Sequence, residues 1–303
     1  MPRLSFQILR NILLWCAAVA LTLCAVYGGL CLRRPPQTDA TTTLYPGITY
    51  HRRFYSIPRP IMAHIVEFDL TQGGFTWFVT PPVDPGERMT SARTARELAE
   101  QFHLQIAVNG SHFEPFRSEA PWDYYPHTGD PVDVMGYAVS DGRTYSDNRA
   151  EWPKFCFNAQ QVFVCGVGQV LKATQAIAGG RLLLRWGNVS PNMDGPLPSQ
   201  PLPRTVVGYN ALRTRAWLVV VDGRQKGYSE GMSLFEMGEY MRDLGADFVL
   251  NLDGGGSTTL VLERGGRLRV MNAPYHTHVP MRERPVANAL GVRVAAARQD
   301  GGE

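Results

Sequence analysis

The stretch VLNLDGGGSTTLVL, Val249 to Leu262, ends an apolar run near Asp253, places Gly254, Gly255, Gly256 and Ser257 after it, and then begins a second apolar run. A carboxylate is thereby displayed at a strand end. Three residues without side chains let backbone come close to a ligand, and their successive N–H groups suit an anion. The same pattern also describes a tight glycine turn whose Asp bonds its own backbone. Spacing alone fits both readings.

Arg204 opens RTVVGYN and Asp222 closes WLVVVDG. A guanidinium pairs bidentately with phosphate oxygens, while an Arg at a strand start equally serves as a surface ion-pair partner. An Asp before Gly is also a common turn residue. Glu236 stands three residues after Ser233, the spacing of a capping box, so capping is preferred over catalysis and Glu236 joins Asp222 as a reserve carboxylate. Asn109, Gly110, Ser111 and His112 break the strand-like LQIAV with a polar turn. His112 could act as acid, base or donor because imidazole titrates near neutrality. His276 and His278 in YHTHV would share one face of a strand, as metal ligands sometimes do, but the sequence offers no third ligand. A solvated loop is the preferred reading there, and neither a metal nor a cofactor is expected.

The elements that must position these residues are mostly strands. Short β-branched or aromatic runs between turn residues predict strands at Ala63–Asp69, Phe75–Thr80, Leu104–Asn109, Val162–Val167, Arg181–Trp186, Arg204–Tyr209, Ala216–Asp222, Phe248–Asp253, Thr258–Glu263, Leu268–Asn272 and Val286–Val294. Two helices are expected, from Ser91 to Phe102 and from Ser233 to Leu244, the second closed by Gly245. Trp122 to Gly129 and Ser190 to Pro203, the latter with five prolines, read as loops. Cys156 and Cys165 flank a hairpin in which a two-residue loop at Gln160 and Gln161 sets them opposite each other. They are either a disulfide or two small buried apolar residues.

Of the 303 residues, 44% are hydrophobic and 19% charged, with 30 Gly and 22 Pro, which describes a turn-rich folded chain rather than a disordered one. The net charge of +3 comes without a basic, aromatic-interleaved stripe, so no nucleic-acid partner is expected. Asn11 to Leu32 carries no charged residue and matches the ~20 residues that span a bilayer. An uncleaved anchor is preferred over a signal peptide, whose apolar core is usually ~7–15 residues. The expected layout is a stub and anchor over 1–34, a linker over 35–43, one domain over 44–296 and a flexible tail over 297–303.

Taken in order, NGSHF at Asn109, AGGRLLL at Ala178, RTVVGYN at Arg204, VVVDGR at Val219, GMSLFEMGEYMRDLGA at Gly231, NLDGGGSTTLV at Asn251, MNAP at Met271 and RERPVANALGV at Arg282 resemble the phosphodiester glycosidase family. The resemblance covers most of Leu44 to Val294. It departs from the family at Ser111 and His112, which replace a Gly and an aromatic, and at YHTHVPMRE, which adds polar bulk. It implies an α+β fold of mixed sheets with packed helices. It also implies cleavage of the anomeric C–O bond of a sugar-1-phosphodiester, with the domain outside the cytoplasm and a phosphorylated envelope glycan or exopolysaccharide as substrate.

The chemistry follows from the bond. A phosphate monoester is a weaker base than an alkoxide, so protonating the leaving oxygen matters less than in ordinary glycosidases. What remains is a cation-like anomeric carbon, which needs a carboxylate, and an anionic phosphate, which needs cationic and N–H donors. Asp253 is assigned the carboxylate; Arg204 and the amides of Gly254 to Gly256 the phosphate, with Arg284 as a second phosphate candidate; Asn109 and Asn272 the sugar hydroxyls; and Gly110, His112 and Ser257 complete the set expected to bind substrate. Two rivals remain at this stage, a non-catalytic binder of phosphate-linked glycans and a metal-dependent phosphodiesterase that cleaves P–O.

Overall fold

The β-branched runs become two large sheets in the computed structural model, which describes residues 2–159, 161–166, 169, 173–190 and 199–295. The first sheet has eight strands, in the order Ala40–Tyr45, Ile48–Tyr55, Ile61–Asp69, Arg215–Val221, Arg204–Tyr209, Phe248–Asn251, Arg181–Arg185 and Asn188–Val189. The second has five, in the order Arg267–Val270, Leu260–Arg264, Ile106–Asn109, Ala289–Val294 and Phe75–Val79. A further five-stranded sheet, built around Lys154–Asn158 and Gln175–Ala178, closes one side.

The inward-facing residues of these sheets form one core, in which Phe68, Val207, Leu218 and Leu250 meet Trp77, Ile106, Leu262 and Val292, with Phe155 and Phe157 from the third sheet. The outer face of the eight-stranded sheet is covered by α3, since Met237 and Met241 of the helix Leu234–Asp243 pack with Val206, Trp217 and Val219. The outer face of the second sheet is covered by α2, Ala95–Gln101, through Ala95 and Ala99 against Ala107 and Val261. The result is helix, sheet, sheet, helix. α1, Pro2–Leu32, stands apart from these layers with its apolar side chains exposed, including Trp15 at 74% and Leu21 at 71%. It is apolar and long enough over Gln7–Leu32 to cross a membrane.

Several expectations need correcting. The sheets are not mixed: every ladder between strands is antiparallel among the described residues, so the fold is sheet-rich and only loosely α+β. The linker is shorter than 35–43, because Ala40–Tyr45 pairs with Ile48–Tyr55 as the edge of the large sheet. α2 begins at Ala95 rather than near Ser91, because Thr94 and Glu97 form a reciprocal capping box there, while Thr90–Ser91 pairs with Pro131 and Val132. Asp123–Tyr125, expected in a loop, forms a small hairpin with Arg117–Ala120. Cys156 and Cys165 are disulfide-bonded, but Cys156 lies opposite Phe163, because the turn falls one residue earlier than expected and Asn158 pairs with Gln161. Gln160, Val167, most of the Pro-rich loop (191–198) and the C-terminal tail (296–303) lie outside the described residues.

Antiparallel register is what assembles the site. Asn251 stands opposite Arg181 on one side and Val206 on the other, so Arg181, Arg204 and the turn after Val221 reach the same end of the large sheet. From there the chain crosses from Asn251 to Leu260 in the second sheet, carrying Asp253 and the glycines over the gap.

Candidate functional site

A cavity of about 720 Å3 opens at this shared end, lined among others by Asp253, His112, Arg204, Arg224, Arg284 and Trp152. Asp253 is anchored from behind: its backbone N–H donates to the Gly110 carbonyl at 3.1 Å, and Asn109 Nδ2 donates to the Asp253 carbonyl at 2.6 Å. Its carboxylate keeps both oxygens engaged, Oδ1 accepting from the Gly254 N–H at 2.9 Å and Oδ2 from Ser257 Oγ at 2.5 Å. Arg284 Nη1 in turn donates to Ser257 Oγ at 3.2 Å, so a single hydroxyl joins the carboxylate to a guanidinium. On the open side, His112 Nε2 lies 3.6 Å from Asp253 Oδ1.

The glycines serve a purpose other than the expected nest. The Gly254 N–H is turned to Asp253 and the Gly255 N–H donates to the Pro203 carbonyl at 2.9 Å, so neither is offered to a ligand. Instead the bare backbone admits two guanidiniums. A Cβ on Gly256 would lie 2.4 Å from Arg284 Nη2, and one on Gly255, which has φ +60°, would lie 3.2 Å from Arg224 Nη2.

Three guanidiniums thus converge. Arg204 donates through Nε to the Met232 carbonyl at 3.0 Å and through Nη2 to the Gln200 carbonyl at 3.0 Å, which fixes its plane. Burial, then the neighbouring Arg224, lower its pKa to about 10. Burial lowers Arg284 likewise to about 10, and both remain cations at neutral pH. Arg224 follows Asp222 and Gly223 in a turn held at φ +62°, a rare conformation for a residue with a side chain and one that a functional site retains. Behind Arg284 lies His276, whose Nδ1 accepts from Arg284 Nε at 3.2 Å. Burial, then Arg284 and Arg282, push His276 down to about 3, so it is a neutral acceptor.

The other residues expected to bind substrate divide. His112 lines the cavity with its ring edge-on to Trp152 at 5.5 Å, above Gly180. Asn109, Gly110 and Asn272 do not reach it. Asn109 is buried and its Oδ1 accepts from Thr205 Oγ1 and the Thr259 N–H, which ties the two sheets together. Gly110 packs on Asn288, and Asn272 bridges the Leu260 N–H, the Thr258 carbonyl and Asp222. Both reserve carboxylates also lie elsewhere. Asp222 is buried among Asn272, the Ala273 N–H and His64. Glu236 caps α3 through a complete capping box and pairs with Arg59 at 2.5 Å. His276 and His278 part company, since left-handed Thr277 and His278 turn the chain, leaving His276 buried and His278 exposed at the cavity.

Sequence reasoning missed Arg224, Trp152 and Asn251. Arg224 was within reach, being the cation of the VVVDGR motif. Asn251 was hidden as a strand residue, yet it lines the cavity with a buried Oδ1 that has no hydrogen-bond partner among the described residues. Trp152 lies between elements and carries no local signal.

The geometry agrees with comparison to known proteins. Solved structures with the same fold include a hypothetical protein from Synechocystis (17% identity, 86% of this chain and 64% of that one, TM-score 0.64). They also include the catalytic domain of zebrafish N-acetylglucosamine-1-phosphodiester alpha-N-acetylglucosaminidase, auto-inhibited by its pro-peptide (22%, 88% and 92%, TM-score 0.61). A Burkholderia pseudomallei protein described as exported is similar as well (15%, 80% and 76%, TM-score 0.56). No curated protein matches the sequence significantly. Residues 102–293, which hold every charged residue named above as lining the cavity, match the phosphodiester glycosidase family, and the chain belongs to that family.

Proposed function

We propose that this protein hydrolyses the anomeric C–O bond of glycosyl phosphodiesters, acting outside the cytoplasm on a phosphate-linked envelope glycan. One observation carries the reading: a carboxylate, Asp253, shares a cavity with the guanidiniums of Arg204, Arg224 and Arg284, the last joined to it through the Ser257 hydroxyl. A phosphodiester anion answers those cations, and its glycosyl carbon then falls beside Asp253. As the C1–O bond breaks, its electron pair leaves with the phosphate, where Arg204, Arg224 and Arg284 hold the charge. Asp253 faces the cation-like carbon. A water oxygen forms the new bond to C1, and its proton passes by way of Asp253 or His112 to solvent. Asn251 Oδ1 is the acceptor for a sugar hydroxyl, in place of Asn109 and Asn272, and Trp152 offers its surface to the sugar.

The Cys156–Cys165 disulfide and the apolar α1 support a location outside the cytoplasm. The test is incubation of the detergent-solubilised full chain with a panel of sugar-1-phosphate methyl esters in 18O-water. Free reducing sugar carrying the label at C1 is expected. Label in the phosphate instead would mean P–O cleavage, and no release from any sugar would leave a binding protein.

A further inference from the structure

The foot of the membrane helix is seated on the loops that build the cavity. α1 packs against Val279–Pro280, the second strand of the hairpin that begins at Tyr275–His276. His278, next to Val279 in the chain, lines the cavity, and Arg284 follows on the same segment. Just after α1, the Pro35 carbonyl accepts from Tyr228 Oη at 3.0 Å, and Gln37 Nε2 donates to the carbonyls of Gly227 and Tyr228. Those residues belong to the loop that starts with Arg224. The Arg34 guanidinium also sits over the Tyr228 ring, 5.1 Å from its centre.

A third loop joins them. Arg282 donates through Nη1 to the Pro121 carbonyl at 2.7 Å and lies over the Tyr124 ring, which fastens the Arg117–Tyr125 hairpin to the helix-seating segment. The base of that hairpin gives Phe116 and Ser118 to the cavity, and its tip presents Trp122, 83% exposed. An exposed Trp on a loop tied to the segment that seats the helix suits the bilayer interface.

Length sets the depth. The apolar span Gln7–Leu32 has 26 residues. At 1.5 Å per residue it is about 39 Å long against a hydrocarbon core of ~30 Å, so it crosses the core with length to spare for tilt and delivers its charged end to the headgroup layer. Arg33 and Arg34 follow at that level. The two loops that meet the helix foot, the hairpin tied to one of them, and with them the cavity, are therefore held at the lipid surface.

We propose that the substrate is a glycosyl phosphodiester whose phosphate is esterified to a membrane lipid alcohol, taken by this site directly from the bilayer. This rests on the glycosidase reading above and names its substrate class. Phosphate at Arg204, Arg224 and Arg284 leaves the alcohol beside Phe116, which stacks on Arg284 at 4.3 Å and is 48% exposed. The alcohol then leads along the hairpin toward Trp122.

The experiment uses the full chain reconstituted in phosphatidylethanolamine and phosphatidylglycerol vesicles. Farnesyl esters of sugar-1-phosphates in the same vesicles are compared with their water-soluble methyl esters. Confinement of enzyme and substrate to one surface predicts a preference for the farnesyl ester on the order of 10²-fold. Trp122→Ala, outside the cavity, is expected to reduce that preference and leave methyl-ester cleavage unchanged. Equal cleavage of both esters, or a preference for the methyl ester, overturns the lipid substrate and leaves the glycosidase standing. A wild-type chain that cleaves neither ester of any sugar overturns both.

Discussion

Asp253 carries a donor on each carboxylate oxygen, so its orientation is set before any substrate arrives. Asp253→Asn keeps the shape of the group and an acceptor for the turn while removing the charge that faces the anomeric carbon. Turnover is expected to fall by about 10² or more with the fold intact, as for loss of a principal electrostatic group. Steady-state rates beside a circular dichroism melt decide it, and near-normal turnover would make Asp253 a turn residue only. A second residue gives a pH signature. His276 is held at about 3 when folded, against about 6.5 in an unfolded chain. Between those values the unfolded state binds the extra proton, so this contribution to stability is whole above about pH 6.5 and is lost as pH falls toward 3. His276→Asn, which keeps an acceptor for Arg284 Nε, should flatten the decline in melting temperature from neutral pH to about pH 4.5. Parallel slopes for the two proteins would place the acid sensitivity elsewhere. At this scale the sequence showed charge but not burial. Asp253, Arg204 and Arg284 announce themselves by type and motif, whereas Asn109 and Asn272 look like ligand residues until their amides are found bridging buried backbone.

Elements show where local chemistry sufficed. Ser233 and Glu236 predict the start of α3 because a capping box needs only residues three apart, and Gly245, at φ +98°, ends it as expected. Glu236→Gln retains the reciprocal cap and loses an ion pair that is partly exposed, worth ~1 kcal/mol or less. Activity should be unchanged and stability nearly so. A severe loss of activity in a folded Glu236→Gln protein would bring this residue into the catalytic set. The glycine turn makes the opposite prediction. Gly256→Ala puts a methyl where Arg284 Nη2 lies, and because the guanidinium end is displaced more easily than backbone, the protein should fold while kcat/KM falls by about tenfold or more. Unaltered kinetics would mean that Arg284 does not need that approach. Sequence was least informative where pairing decides: the Ala40–Tyr45 edge strand is rich in threonine and reads as linker, and the Cys156 hairpin slips by one turn position because its loop has no Asn-Gly or Asp-Gly to fix it.

For the whole molecule, the strand-end location of the site follows from antiparallel register, which no single segment encodes; the order of motifs along the chain foretold their convergence only through the family resemblance. Topology in the membrane is a further property of this scale. Asn11–Leu32 has no charged residue, and α1 exposes its apolar side chains instead of burying them in the core. Flanking charges do not decide the orientation, because Arg3 and Arg10 on one side oppose Arg33 and Arg34 on the other. The folded part favours one side: a disulfide between Cys156 and Cys165 forms and persists in oxidising compartments and is rare in the cytoplasm. The helix foot seated on Tyr228 and Val279 further argues that α1 stays attached, since its removal would bare those contacts. The expected outcome is an anchored protein whose sheets lie outside the cytoplasm. Protease added to spheroplasts should digest the domain and spare a short tag placed at the N-terminus, and a thiol probe applied without reductant should leave Cys156 and Cys165 unlabelled. Protection of the whole domain, or labelling of both cysteines, would reverse the orientation and remove the bilayer-surface substrate with it.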